Sequence, residues 1–350
     1  MDKILECVPN FSEGRNDNII RDIISAMTGA GNIKILDVSS GKSANRTVVT
    51  FTGPPEDVLE SAFRGIEKAT QLIDMTKHRG VHPRFGATDV CPLVPLAGMK
   101  IDEAAELARK LAARVGDELG IPVYCYEYAA FDDERRSLAN CRSGGYEGLK
   151  EKITGERWNP DYGPAKWTEK VSKTGAVAIG ARNVLVAYNV NLDTKSAIVA
   201  GAIAGEVRES GRIMREGDEI NGKIISDKKG NPLFLRGTLK KVRAIGWYLE
   251  DYDIAQISMN LTDIDTTPVH TAFNEVRRKA LERGIKVTGS ELIGLVPLKS
   301  MLEAGKYYLR RQRRPVNISD DEIIKVAVDS LGLNDLYTFD PKKKIIEYVI

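Results

Sequence analysis

At 350 residues the chain exceeds what one small core organises and is long enough for two domains. Lys and Arg total 51 against 49 Asp and Glu, a formal net charge of +2, which argues against a protein that wraps nucleic acid and leaves any cationic function to local clustering. With 42% hydrophobic and 29% charged residues it has an ordinary globular composition, and no run of about 18 apolar residues suits a bilayer span.

The first half alternates strand-like and helix-like segments. "ILECVPNF" is a short apolar run that reaches turn chemistry at "SEGRND", and "IIRDIISAMTG" carries Ile and Met at helical spacing before a glycine. "IKILDVSS" and "RTVVTFTG", joined by "GKSAN", predict a hairpin. "PPEDVLESAFRGIEKATQLI" opens with prolines suited to a first helical turn. Next come the histidine-bearing segment, the strand "TDVCPLVPL", the helix "DEAAELARKLAARVGDELG" and the strand "IPVYCYEYA". Residues 131 to 182, with "SGGYEGLKEK" and "WNPDYGPAKW", read as a long irregular passage. Apolar patterning resumes at "NVLVAYNVNL", followed by a helix around 195 to 209 and an added hairpin near 218 to 236. "KKVRAIGWYLED", "IAQISMNLTDID", the helix "PVHTAFNEVRRKALERG" and "IKVTGSELIGLVPLKSML" complete a second α/β unit.

The halves echo each other. "LVPLAGM" at 93 to 99 matches "LVPLKSM" at 295 to 301, and Arg79-Gly80-Val81 and Arg283-Gly284-Ile285 precede them. The expected fold class is α/β (α+β), two related subdomains with mixed sheets facing each other across a substrate cleft. The expected domains are residues 1–180, 181–315 and a C-terminal helical extension, 316–350. The four cysteines, Cys7, Cys91, Cys125 and Cys141, form no CxxC pair, and apolar neighbours mark at least the first three as small core residues. "MDKILECVPNFSEGRN" lacks the apolar stretch of a signal peptide, so a cytoplasmic location is expected.

"MTKHRGVHPRFGATDVCP", residues 75 to 92, holds two of the three histidines, His78 and His82, among Lys77, Arg79 and Arg84. Gly80 and Pro83 break a helical i, i+4 zinc arrangement, and the neighbouring cations would repel a metal, so no metal is expected. A loop histidine among cations suits proton transfer to an anionic substrate, since adjacent positive charge keeps the imidazole neutral and basic. The competing reading is a histidine that only hydrogen-bonds its own loop. His78, at a helix end, is expected to complement the helix dipole.

"ECVPNFSEGRN", "NRTVVTFTGPPE", "LIDMTKHRGVHPRFGATDVCPLVP", "GIPVYCY", "DYGPA", "GARNVLVAYNVNL", "GWYLED" and "GLVPLK" together resemble the glutamate formimidoyltransferase family, in order from residue 6 to "IIEYV" at 345. The resemblance implies transfer of a formimidoyl group from N-formimidoyl-L-glutamate to N5 of tetrahydrofolate, giving 5-formimidoyltetrahydrofolate and L-glutamate in histidine degradation. It implies tetrahydrofolate, often polyglutamylated, as acceptor substrate, no metal, no nucleic-acid or membrane partner, and a homodimer. Its catalytic histidine falls on His82. The carboxylate that assists the histidine in the family has Ser39 at its place here, leaving Asp37 as the nearest acid. Substrate and folate contacts are expected from Asn10, Arg46, Arg84, Gly163, Pro164, Lys166, Trp167, Arg182 and Tyr188. Trp167 would stack on the pterin, against the alternative of anchoring its own loop, and Lys166, Lys170 and Lys173 would meet the glutamyl tail. Two further readings stay open: formyl transfer between 5-formyltetrahydrofolate and glutamate, and a non-catalytic folate- or RNA-binding protein. The basic stretch "YYLRRQRRP" at 307 to 315 reads as a solvated helix end.

Overall fold

The computed structural model of the chain describes residues 3–218 and 221–349, in two compact units that divide after Asn183. The first unit begins with a strand in two parts, β1 (Ile4–Cys7) and β2 (Asn10–Phe11), interrupted at Pro9, which has no N–H for the ladder. Helix α1 (Asp17–Thr28) follows, its first turn capped by the Asn16 side chain. The expected hairpin is β3 (Lys34–Gly41) with β4 (Arg46–Gly53), and α2 (Pro55–Leu72) starts with proline in its first turn. Then come β5 (Thr88–Ala97), α3 (Ile101–Leu119) and β6 (Val123–Glu127).

The sheet runs β3-β4-β1/β2-β5, antiparallel throughout, and continues from β5 through two parallel strands. One of those two, β7 (Val177–Ala181), falls inside the passage read as irregular. Its "VAIGA" is entirely buried between β5 and β6, so it carries no alternation, and five residues with two alanines and a glycine give little β signal. The same passage also contains α4 (Leu138–Cys141), α5 (Leu149–Thr154), a 3₁₀ turn at Glu156–Trp158 and α6 (Glu169–Thr174). It builds a small core of its own, with Phe85, Tyr124, Tyr126, Leu149, Ile153 and Val171.

Helices α1, α2 and α3 bury their apolar stripes on one sheet face, where Ile23, Met27, Phe63, Ile66 and Leu111 meet Leu5, Cys7, Phe51, Cys91 and Leu93. All four cysteines are free and buried, Cys141 included. Alternation sends Glu6, Asn10, Arg46, Val48, Thr50 and Thr52 to the opposite face.

The second unit comprises β8 (Val186–Leu192), α7 (Ala197–Val207), the short pair β9 (Arg212–Ile213) and β10 (Phe234–Leu235), β11 (Val242–Leu249), β12 (Ile254–Leu261), α8 (Val269–Leu281), β13 (Val287–Ile293), α9 (Leu298–Arg311), α10 (Asp320–Leu331), α11 (Pro341–Lys344) and α12 (Ile346–Val349). The added hairpin is present as the β9–β10 pair with bridges Arg215–Ile224 and Ser226–Pro232, although residues 219–220 lie outside the described residues. The segment 316–349 shares the core of this unit through Ile323, Ile324, Ala327, Leu331, Phe339 and Ile345. The "LRRQRR" arginines include the last turn of α9, where cations complement the dipole.

The duplication is legible as topology. Each unit contains βαββαβ with its four strands in the order 2-3-1-4: β3-β4-β1/β2-β5 in the first and β11-β12-β8-β13 in the second. The parallel strands are confined to the first sheet; the second is antiparallel throughout. The "LVPL" echo is offset, since residues 93–96 lie within β5 whereas 295–298 follow the end of β13 and enter α9. On the second sheet Gln256 joins Asn191 and Glu291 into a buried polar network, with Asn189 also donating to Glu291 at 2.8 Å. Among the described residues no helix is long and apolar enough to cross a membrane.

Candidate active site

The loop between α2 and β5 owes its shape to Asn45, in the left-handed region at φ 48°. The Asn45 side chain accepts from Gly14 N at 3.0 Å and donates to Arg79 O at 2.9 Å, while its carbonyl meets His78 Nε2 at 2.8 Å. His78 is thus a buried loop tie rather than a cation at a helix end, and burial lowers its pKa. Gly80 has no alternative in this packing, because a Cβ there would lie 2.3 Å from Ala44 O.

His82 follows on this loop, half-buried, with Nδ1 2.6 Å from the carbonyl of Pro83. A carbonyl only accepts, so Nδ1 carries the hydrogen and Nε2 is left as the basic nitrogen. The imidazole pKa is lowered to about 3, by burial first and then by Arg46 and Arg142, with Asp89 opposing. The ring is therefore neutral at physiological pH.

These three charged residues form one network. At the β5 end, Asn10 pairs with Val90 and Phe11 with Thr88, and the bulge between them lets Asp89 turn toward β4. Asp89 is fully buried and accepts from Arg46 Nη1. It also takes Arg142 Nε at 3.1 Å and Arg142 Nη2 at 2.7 Å, a forked pair. Arg46 Nε donates to Asn10 Oδ1 at 3.1 Å, and Asn10 Nδ2 to Val8 O at 2.8 Å. Arg142 Nη2 reaches the Pro83 carbonyl at 2.7 Å, the same oxygen that fixes His82. Burial alone would raise the Asp89 carboxyl, but Arg142 and Arg46 together hold it below the ordinary carboxylate range. Burial presses the Arg46 guanidinium down, with Asp89 opposing and Arg142 reinforcing. Two guanidiniums around one carboxylate leave a net positive local field beside a neutral imidazole.

Arg142 is positioned from behind. It ends α4, whose last carbonyls accept from Lys152 Nζ, to Asn140 O at 2.8 Å and Cys141 O at 2.7 Å. Lys152 stands 4.4 Å over the Trp158 ring, and burial lowers its ammonium to about 8.

The structure brings Asn10, Arg46 and His82 together and gives several of the other expected residues partners within the protein. Arg84 is taken up by the protein itself: it donates to Glu147 Oε1 from Nε at 3.1 Å and Nη2 at 2.6 Å, and to Met75 O at 3.1 Å, while packing on Tyr146. Asp37 accepts from Ser39 Oγ at 2.5 Å; the acid that acts electrostatically on His82 is Asp89. Gly163, at φ 79°, serves a close approach, since a Cβ would lie 2.1 Å from Ile121 O. Trp167 packs on Tyr146 with centroids 6.2 Å apart and joins the small core, the anchoring alternative. Pro164 is half-buried beside it; Lys166 and Lys170 are exposed, and Lys173 pairs with Glu169 at 2.9 Å. Arg182 follows β7 and donates to Asn183 O at 3.0 Å. Tyr188 is a core residue of the second unit, fully buried, with its hydroxyl donating to Ser290 Oγ at 2.8 Å; it shares the apolar face of β8 with Val186, Val190 and Leu192, an alternation the sequence already carried. The sequence reading missed Asp89 and Arg142. Asp89 did leave a signal, an acid embedded in the apolar run "TDVCPLVPL"; Arg142, in a polar passage, left none.

The sequence model described as formiminotransferase domain, N-terminal subdomain, matches residues 4–182, and the one described as formiminotransferase domain matches residues 187–350. The formimidoyltransferase-cyclodeaminase of Dictyostelium discoideum is 42% identical over 352 residues, covering 100% of this chain and 61% of its own length. Its counterpart in Mus musculus is 43% identical over 351 residues, with 100% and 60% covered. The chain therefore spans about three-fifths of these relatives (61% and 60%). The glutamate formimidoyltransferase of Streptococcus pyogenes serotype M1 is 40% identical over 311 residues, which is 89% of this chain and 94% of that protein. With the two subdomains matched in order along both structural units, the chain belongs to the formiminotransferase family.

Proposed function

We propose that this chain is a transferase that moves the formimidoyl group of N-formimidoyl-L-glutamate to N5 of tetrahydrofolate, releasing L-glutamate and 5-formimidoyltetrahydrofolate. The observation that carries the reading is the neutral His82 imidazole, tied at Nδ1 to Pro83 O and set beside the Arg46–Asp89–Arg142 network. N5 attacks the amidine carbon, forming a tetrahedral intermediate. His82 Nε2 takes the proton that N5 loses and delivers it to the departing glutamate nitrogen as the C–N bond breaks. One histidine serves both directions, because the substrate's carboxylates offset the two arginines and raise the imidazole above its lowered value, with burial still opposing. Such transfer contributes about 10²–10⁴-fold, and holding both substrates together supplies much of the remainder.

In this reading Asp89, rather than Asp37, is the carboxylate that supports His82, by holding Arg142 and Arg46 in place. A step in histidine degradation, carried out in the cytoplasm by a homodimer, belongs to the same proposal. The test is turnover with purified protein, tetrahydrofolate and either N-formimidoyl-L-glutamate or N-formyl-L-glutamate, followed as 5,10-methenyltetrahydrofolate absorbance after acid treatment. Product from the formimidoyl donor, with a rate well above that from the formyl donor, supports it. A faster formyl donor moves the assignment to formyl transfer, and no product with either rejects the transferase reading.

A further inference from the structure

Glu6 is the buried acid that neither the fold nor the mechanism explains. It sits in β1 opposite Thr52 of β4 and Val94 of β5 and is 4% exposed. Its neighbours Leu5 and Cys7 point into the helix-side core, so Glu6 lies on the other face of the sheet, with Asn10 and Arg46. The hydroxyl of Thr52, beside it across the strand, is given to Leu5 O at 2.9 Å. Arg182 acts on Glu6 through its field, but its own Nη1 donates to Asn183 O. Among the described residues no side chain donates a hydrogen bond to the Glu6 carboxyl. Burial pushes that carboxyl up to about 7, with Arg182 opposing, as expected of an acid without donors. Burying a carboxyl without partners costs stability, so a strand that needed only packing would carry an apolar residue at this position.

We propose that Glu6 is the receptor for a paired N–H edge, two parallel donors on one face of a substrate, bound through both carboxylate oxygens. Paired, charge-assisted hydrogen bonds of this geometry are the strong ones, and they would supply the donors that Glu6 lacks. The chemistry is shared by two sources in the proposed reaction: the amidine of the formimidoyl group and the 2-amino-pyrimidinone edge of tetrahydrofolate. Four residues of extended chain, roughly 13 Å, separate Glu6 from Asn10, whose amide oxygen holds Arg46; one folate-sized molecule covers that span. The inference rests on the formimidoyl-transfer reading for the identity of the two substrates.

The test is calorimetric binding of N-formimidoyl-L-glutamate and, separately and anaerobically, of tetrahydrofolate to the wild type and to Glu6→Gln, whose amide opposes one of the two N–H donors. A loss of roughly ten- to a hundredfold for one of the two ligands, with the other unchanged, is expected, and the ligand affected identifies the source. Unchanged affinity for both, or an equal small loss for both, overturns the proposal. If Glu6→Gln does not fold, the wild type is titrated with N-formyl-L-glutamate and with a tetrahydrofolate carrying 2-methyl for 2-amino. One of these analogues is expected to lose the same factor against its parent, and parity for both overturns the assignment. Binding of both parents to a wild type that shows no turnover rejects formimidoyl transfer while leaving the Glu6 comparison intact; absence of binding by either parent overturns both.

Discussion

His82→Ala is expected to lower kcat for formimidoyl transfer by about 10²–10⁴-fold while KM for both substrates stays within a few-fold. The argument rests on what the side chain does in each state. In the proposed reading carboxylate binding belongs to the arginine network, so removing the imidazole is expected to leave ground-state affinity largely intact. During reaction the proton that N5 loses must reach the departing nitrogen, and the basic Nε2 is set for that transfer by the Nδ1 hydrogen bond to Pro83 O. The residual rate comes from placing the two substrates together. Added imidazole, which restores a mobile base, is expected to recover part of the loss. A drop confined to KM would show instead that His82 binds substrate and that the proton moves by another route.

Asp89→Asn is expected to be the most damaging single substitution at the site for stability. The new side chain is nearly isosteric, but it removes the charge that two largely buried guanidiniums share, their side chains being 12% and 18% exposed. Breaking a buried ion pair from one side costs about 3–5 kcal/mol, which in a unit of this size lowers Tm by roughly 6–20 °C. Arg142 would also lose its fork and with it the fixed approach to Pro83 O, so kcat is expected to fall together with Tm. Sulfate, which can neutralise arginines that have lost their carboxylate, should raise Tm more in the variant than in the wild type. Equal sulfate responses would contradict the network as the source of the loss.

The same groups fix the sign of the acid response. The Asp89 pKa is lowered in the folded chain, so its contribution is present above the unfolded value of 3.8 and is lost as pH falls through the folded value. His82 is lowered from 6.5 to about 3, so the unfolded chain takes up the extra proton and stability declines as pH drops below about 6.5 toward about 3. Both act in the same direction in acid.

Particular residues show how far the sequence reaches. Helices α1, α2 and α3 were readable because each carries a wide apolar stripe, and the β3–β4 hairpin because β-branched residues flank a turn. Strand β7 was not, because its burial on both faces leaves no alternation and its alanines and glycine carry no strand preference. His82 stood out through loop chemistry and local cations. The partners of Asp89 were hidden by distance along the chain, with Arg46 separated from it by 43 positions and Arg142 by 53. Arg84 and Arg46 look alike in sequence, and only packing decides that one clamps Glu147 and the other joins the site. Trp167 was suited by type to stacking on either a ligand or its own domain, and Tyr146 supplies the second surface.

The central claim is that His82 is a neutral, Nδ1-protonated imidazole whose basicity is lowered by burial and by two arginines and is raised by bound carboxylate. Nitrogen-15 NMR of the imidazole across pH 5 to 8, with and without saturating L-glutamate, tests it most directly. The free protein should show a single neutral tautomer with Nδ1–H and no protonation over that range, and glutamate should move the midpoint upward toward it. An imidazole that titrates near 6.5 without ligand, or that carries its hydrogen on Nε2, would contradict the account.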